Sequence, residues 1–412
     1  MNATVLRTLT SVAAACSLAS IAHAEPEGPP NPAVLAVNQL GLDLHRQLAT
    51  QPTKNLLLSP WSIQTALAMT YAGSAGTTRN EMAKVLHYDG NETKLHAGFR
   101  QISEALTAEA AASDGTFAFN IANRLFGSKG FTFEKPFLNT LATGYGAPLE
   151  PIDFAKSDAA TRHINGWVEQ QTKDRIRDLI PPGLLNADTR LVLANALHLK
   201  AAWGKEFATR ETKARPFHVN GGATVPVPTL HDAAHYGYRD FGSFQAVSIP
   251  YRGCDLQFVA FVPKAPEGLA AVVGQLTTET FTACQFLPGT EVDLFLPKLK
   301  LEPDGIALSK QLQALGLKSA FDLPPGSADF SRMANPSKDR LLISEVVHKT
   351  FLQLDEKGTE AAAATAVIMA RATAILEKPK PVVVRIDRPF AFAIQHRTSG
   401  ACLFLGQVTD PR

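Results

Sequence analysis

The chain has 412 residues, 45% hydrophobic and 19% charged, and 40 basic against 38 acidic side chains leave a formal net charge of +2. With no long basic block, that balance removes the electrostatic case for a nucleic-acid or anionic-membrane partner. What is left is an ordinary soluble globular composition without internal repeats, whose length alone does not choose between one large α+β domain and two or three smaller ones.

Residues Met1 to Ala24 are expected to be a secretory signal peptide. Arg7 leads, an apolar core runs from Ser11 to Ile21, and Ala22-His23-Ala24 offers a small-x-small cleavage site. Residues 25–32 follow as a Pro-rich linker, so the mature protein is expected to be secreted or periplasmic. A membrane anchor is disfavoured by the short apolar run and its acidic, Pro-rich sequel. A lipoprotein modified at Cys16 is the weaker alternative, since Ala13-Ala14-Ala15-Cys16 is a poor lipobox. Cleavage after Ala24 leaves Cys254, Cys284 and Cys402, an odd number with no C-x-x-C pair. They read as small core hydrophobes with at most one bridge.

Val34, Val37, Leu40, Leu44 and Leu48 recur at helical spacing and predict a helix over Ala33 to Leu48. A short apolar strand, Leu56 to Leu58, runs into Ser59-Pro60, a strong helix-start signal, with Gly73 and Gly76 at the far end. Ile121 to Phe126 reads as a strand. The spacing of Ile164, Trp167, Val168, Ile176 and Leu179 predicts a helix over 161–179, ended by Pro181-Pro182-Gly183. Its Arg162, Lys173, Arg175 and Arg177 are interleaved with acids and read as a solvated face. Leu191 to Trp203 alternates as a buried strand. The middle is expected to be rich in short strands: Val225 to Leu230, Ala246 to Tyr251, Leu256 to Pro263 and Val292 to Leu299. Asp387 to Ile394 and Leu403 to Val408 close the chain.

Between two strand-like runs, around Val346 to Leu354 and Val382 to Ile386, lies the Ala-rich stretch Glu356 to Leu376. It has no apolar stripe at helical spacing. With a period of two, Thr359, Ala361, Ala363, Thr365, Val367 and Met369 share one face, and only Glu360 breaks the small, neutral character of the other. Such a segment can slide between two strands, with Gly358 as the permissive point of entry.

The run H-K-T-F-L-Q-L-D-E-K-G-T-E-A-A-A-A-T closely resembles the hinge of an inhibitory serpin, and the matches extend over nearly everything after residue 33. The resemblance implies a single α+β domain over 33–412, with three β-sheets, eight or nine helices and an exposed reactive-centre loop at about 356–381. It also implies a metastable, secreted, bacterial-like protein that is not an enzyme: a suicide substrate whose cleaved loop inserts into the main sheet while still acyl-linked to a serine protease. Glu356, Gly358, Thr359, Ala361, Ala363 and Thr365 match the hinge. Ser59, Ser62, Asn195 and His348 match the shutter under the main sheet, and Trp203 with Lys200 matches the breach at its top.

Counting from the hinge places the reactive bond between Ala372 and Thr373, which favours an elastase-like or subtilisin-like target. A loop one residue shorter would place it between Arg371 and Ala372 and attract a trypsin-like protease. The expected protein is a monomer without cofactor. A non-inhibitory chaperone, storage or carrier role is the main rival, but the small hinge residues argue against it. A secreted hydrolase is less favoured, because G-x-S-x-G, H-E-x-x-H and Walker loops are missing. His231 and His235 have metal-ligand spacing only on a helix and sit among strand-like residues.

Overall fold

Asn31 caps the first helix, α1 (Pro32–Leu48), its side-chain oxygen accepting from the Ala33 N–H. The computed structural model describes residues 31–50, 53–219, 222–335, 340–360 and 380–412. Strand β1 (Leu56–Leu58) leads into α2 (Pro60–Ala72), which Ser59 caps as expected and Gly73 closes. Next come α3 (Gly76–Val85), α4 (Glu92–Ala112), β2 (Phe117–Ser128), α5 (Lys135–Tyr145), β3 (Leu149–Ile152), α6 (Ser157–Gln171) and β4 (Leu191–Ala202). The middle is mostly strand: β5 (Lys213–His218), β6 (Thr224–Asp240), β7 (Phe244–Pro250) and β8 (Leu256–Pro263). Helices α7 (Leu269–Gln275) and α8 (Thr278–Cys284) interrupt it before β9 (Gly289–Pro297) and β10 (Leu299–Leu301). Beyond lie β11 (Ile306–Ala307), α9 (Ser309–Leu315), β12 (Val347–His348), β13 (Leu352–Asp355) and β14 (Gly358–Thr359). The chain ends through β15 (Val382–Arg385), β16 (Phe390–His396) and β17 (Cys402–Val408).

Two large sheets share one hydrophobic core, an α+β arrangement. One runs β1-β17-β16-β8-β7-β6-β9-β15, with β5 added on β6. The other, the main sheet, runs β10-β13-β14-β4-β2-β3, and β11 pairs with β12 separately. Trp61, Phe99 and Leu40 fill the space between α1, α2 and α4, while α6 lays Ile164 and Val168 across Phe126 and Ala194 of the main sheet. Among the described residues no helix is long and apolar enough to cross a membrane.

The helix expected over 161–179 begins four residues earlier and stops at Gln171. Thr172 explains the stop: its hydroxyl donates to the Val168 carbonyl (2.8 Å) and accepts from the Ile176 N–H (3.1 Å), so the chain turns on a side chain. Lys173, Asp174 and Asp178 then take φ of 51°, 63° and 51°, which a continuing right-handed helix does not allow. Arg175 and Arg177 therefore sit in a turn and not on a helix face. The strand expected from Val346 onward is likewise reduced to β12 and β13, with an irregular stretch between them. Strand β6 is far longer than expected and carries both His231 and His235; the His231 Nε2 pairs with Asp293 at 2.7 Å. Cys254, Cys284 and Cys402 are all free thiols, so the optional bridge is not formed.

Candidate functional site

Strand β4 is the central feature of the site. On one side it pairs with β2 along nearly its whole length, from Leu191 to Ala201. On the other, among the described residues, it pairs only at its top, where β14 sets Gly358 opposite Ala202 and Thr359 opposite Ala201. Below that point lies a cavity of about 530 Å³, lined by Leu191, Leu193 and Asn195 of β4 and by Ile343, Val346 and His348 across the gap. An unpaired strand edge facing a cavity leaves backbone donors and acceptors that another strand can satisfy.

Strand β14 is the beginning of such a strand, since it also pairs with β13, with Leu354 opposite Thr359 and Asp355 opposite Gly358. Gly358 sits at φ 147°, and a Cβ there would collide with the Ala201 carbonyl oxygen, so only glycine fits this approach. Thr359 is buried, its hydroxyl 2.6 Å from the Tyr251 phenol oxygen. Glu356 pairs with Lys298 at 2.8 Å. Burial alone would raise that carboxyl, but the Lys298 ammonium holds it below its ordinary value. Nothing in the sequence near Lys298 marks it as the partner of Glu356, because the two are brought together by the pairing of β10 with β13.

Trp203 and Tyr251 close the top of the gap. Their rings stack at 4.7 Å and 7°, and the Trp203 indole donates to the Asp355 carbonyl (2.9 Å) while its backbone N–H donates to that of Lys357 (2.9 Å). Trp203 therefore ties β4 to the segment that feeds β14. Lys200, matched to the breach with Trp203, lies next to Ala201 near the top of β4, but it faces the opposite side of the strand, half-buried, and makes no ion pair among the described residues.

Ser59, Ser62, Asn195 and His348 come together as the sequence suggested. The Ser59 N–H donates to His348 Nε2 (3.0 Å), and the Ser59 hydroxyl accepts from the Ser62 N–H (3.2 Å) and donates to the Leu403 carbonyl (2.8 Å). Ser62 donates to Asn195, and Asn195 in turn to Asn123, a residue that no sequence signal singles out. Asn123 completes the chain at the Tyr145 carbonyl (3.0 Å). Burial pushes His348 down to about 3, which keeps it neutral and able to accept at Nε2. Asn195 and His348 stand on opposite walls of the cavity, linked through the two serines beneath it.

Glu360 is the last residue described before the rest of the loop. Its carboxylate is 5% exposed and meets His198 Nε2 at 3.0 Å and Arg175 Nε at 3.3 Å. The hinge positions Ala361, Ala363 and Thr365, and the reactive-bond positions Arg371, Ala372 and Thr373, lie outside the described residues.

A central strand edge that is open among the described residues, a neighbouring segment already seated at its top and a polar network beneath the gap form a specific combination. The family described as Serpin (serine protease inhibitor) matches residues 35–411. The chain belongs to the serpin family. This serpin is 36% identical over 377 residues to leukocyte elastase inhibitor A of Rattus norvegicus, covering 89% of this chain and 96% of the relative. The solved structure of cleaved Serpin 42Da matches with a TM-score of 0.80 at 28% identity, over 93% of this chain and 99% of that one. Human thyroxine-binding globulin matches with a TM-score of 0.79 at 28% identity, over 92% and 99%. The fold is thus common to a protein named as an inhibitor and one named for binding thyroxine. What distinguishes the roles for this serpin must come from its own hinge and strand edge.

Proposed function

We propose that this serpin is a suicide inhibitor of serine proteases. A protease cleaves the loop after Ala372, and the freed segment inserts along β4 with the acyl-linked protease attached. The observation that carries this reading is the pairing of Gly358 and Thr359 between β13 and β4, with the remaining edge of β4 unpaired among the described residues. Continued one residue at a time, that register sets Met369 opposite Leu191, the first residue of β4. It also brings Thr365 between Asn195 and His348, into the polar network. Small residues at 361–366 meet no steric objection on the way.

About ten further residues pairing on two sides, at roughly 1 kcal/mol net per hydrogen bond, release on the order of 10 kcal/mol, comparable to the stability of a whole domain. The register ends just short of Ala372, which supports Ala372-Thr373 as the bond and a small-residue pocket, elastase-like or subtilisin-like, as the target. Residues Met1 to Ala24 direct export, so the protease is met outside the cytoplasm.

Incubation with elastase, subtilisin and trypsin, followed by denaturing electrophoresis and mass analysis of the released peptide, tests this reading. A detergent-stable complex and a peptide beginning at Thr373 are expected. A peptide beginning at Ala372 would move the bond to Arg371 and the preference to trypsin-like enzymes. Complete loop hydrolysis without any stable complex would refute inhibition.

A further inference from the structure

We infer that Glu360 is a positioning residue that changes partners as the loop inserts, from His198 and Arg175 in the intact chain to Lys200 in the inserted one. The inference rests on the insertion reading and adds to it a specific exchange of ion pairs.

The geometry around Glu360 shows where its backbone stops following the sheet. Its N–H still donates to the Gln353 carbonyl on the β13 side (3.1 Å), but pairing with β4 ends one residue earlier, at Thr359 and Ala201. Glu360 then takes φ 51°, a left-handed conformation outside any strand. The next position in the β4 register is Lys200. If Glu360 became extended, the two would stand directly opposite, on the same face, at the spacing where opposite charges in a sheet pair.

The face is the right one. Thr359 and Ala201 are buried on the inner side, so by alternation Glu360, Lys200 and His198 share the outer side, beneath the turn that follows α6. In the intact chain the Glu360 carboxylate reaches past its own register to His198, whose other ring nitrogen lies 3.3 Å from the Asn120 amide. With Asn120 donating there, Nε2 carries the proton that Glu360 accepts. Arg175 supplies the formal charge and also covers the Phe351 ring at 5.2 Å, so it spans the gap that insertion must fill.

A carboxylate this buried is costly to leave without a partner. Lys200 is half-buried, on the same face, and has no ion pair among the described residues. The release of the Arg175 contact and the capture by Lys200 therefore belong to one step, in which Glu360 gives up its left-handed backbone and the turn after α6 is freed from the sheet.

Guanidinium unfolding midpoints of the intact and the loop-cleaved protein test the exchange in wild type, Lys200→Met, Lys200→Arg and Arg175→Ala. Lys200→Met is expected to leave the intact midpoint unchanged and lower the cleaved one, and Lys200→Arg to restore it. Arg175→Ala is expected to lower only the intact midpoint. If Lys200→Met shifts both forms equally, or neither, while cleavage still stabilises the wild type, the exchange is wrong and insertion stands. If cleavage does not stabilise the wild type, both fail.

Discussion

His348 and His45 are buried where a charge has no partner. Burial pushes His348 down to about 3, and burial together with the nearby Arg46 pushes His45 down to about 4. Both values lie below the ordinary 6.5, so the unfolded chain binds protons that the folded chain cannot. Stability is therefore full above that value and is lost as pH falls from it toward 4 and 3, at roughly 1.4 kcal/mol per pH unit for each histidine within its window. Unfolding midpoints measured between about pH 7 and pH 5 should fall, and fall less steeply in His348→Gln. Among the described residues neither ring nitrogen of His45 has a hydrogen-bond partner, so His45→Leu should raise stability at neutral pH by about 1–2 kcal/mol, read from the same curves. Thr359 carries the functional counterpart. Its side chain is buried against Tyr251, and Thr359→Arg would force a charge into that contact. The variant is expected to be hydrolysed as a substrate, with the detergent-stable complex reduced at least tenfold on gels.

At the scale of elements, the hinge depends on Gly358 and the two strands that clasp it. Gly358→Ala introduces a Cβ against the Ala201 carbonyl, so β14 should leave the sheet and Trp203, stacked on the Tyr251 that holds Thr359, should report it as a change in fluorescence. An unchanged spectrum would mean that the seat tolerates a side chain. Helices α1 and α2 and strand β8 are legible in the sequence because their signals are local, an apolar stripe, a capping residue followed by proline and an apolar run, whereas β16 and β17 come with the family resemblance. So do Ser59, Ser62, Asn195 and His348, which the family motif carries together. The end of α6 is not legible, since Ile176 and Leu179 keep the apolar spacing and are buried even though Thr172 has already turned the chain. Arg175 is exposed, as a solvated residue should be, but a turn and not a helix face carries it, and it also reaches Glu360. Lys298 and Asn123 carry no signal of their own, because their roles exist only once distant strands are paired. Lys200 is matched to the right strand, but alternation puts it on the other face from Trp203's stacking partner.

For the whole molecule, the proposed mechanism requires that the fold as it stands is not the most stable arrangement of its chain. Among the described residues the main sheet leaves most of one edge of β4 unpaired above a cavity of about 530 Å³, and β14 is held at its top by two register positions. Backbone groups left without partners, and a cavity where side chains could pack, both cost free energy that a seated strand would recover. In the proposed mechanism, loop cleavage removes the covalent constraint on insertion. The most direct measurement is the melting temperature before and after a single nick in the loop, made by a protease that is then removed. A metastable fold predicts a large rise, with no loss of secondary structure by circular dichroism. A nicked protein that melts at or below the temperature of the intact one would contradict it.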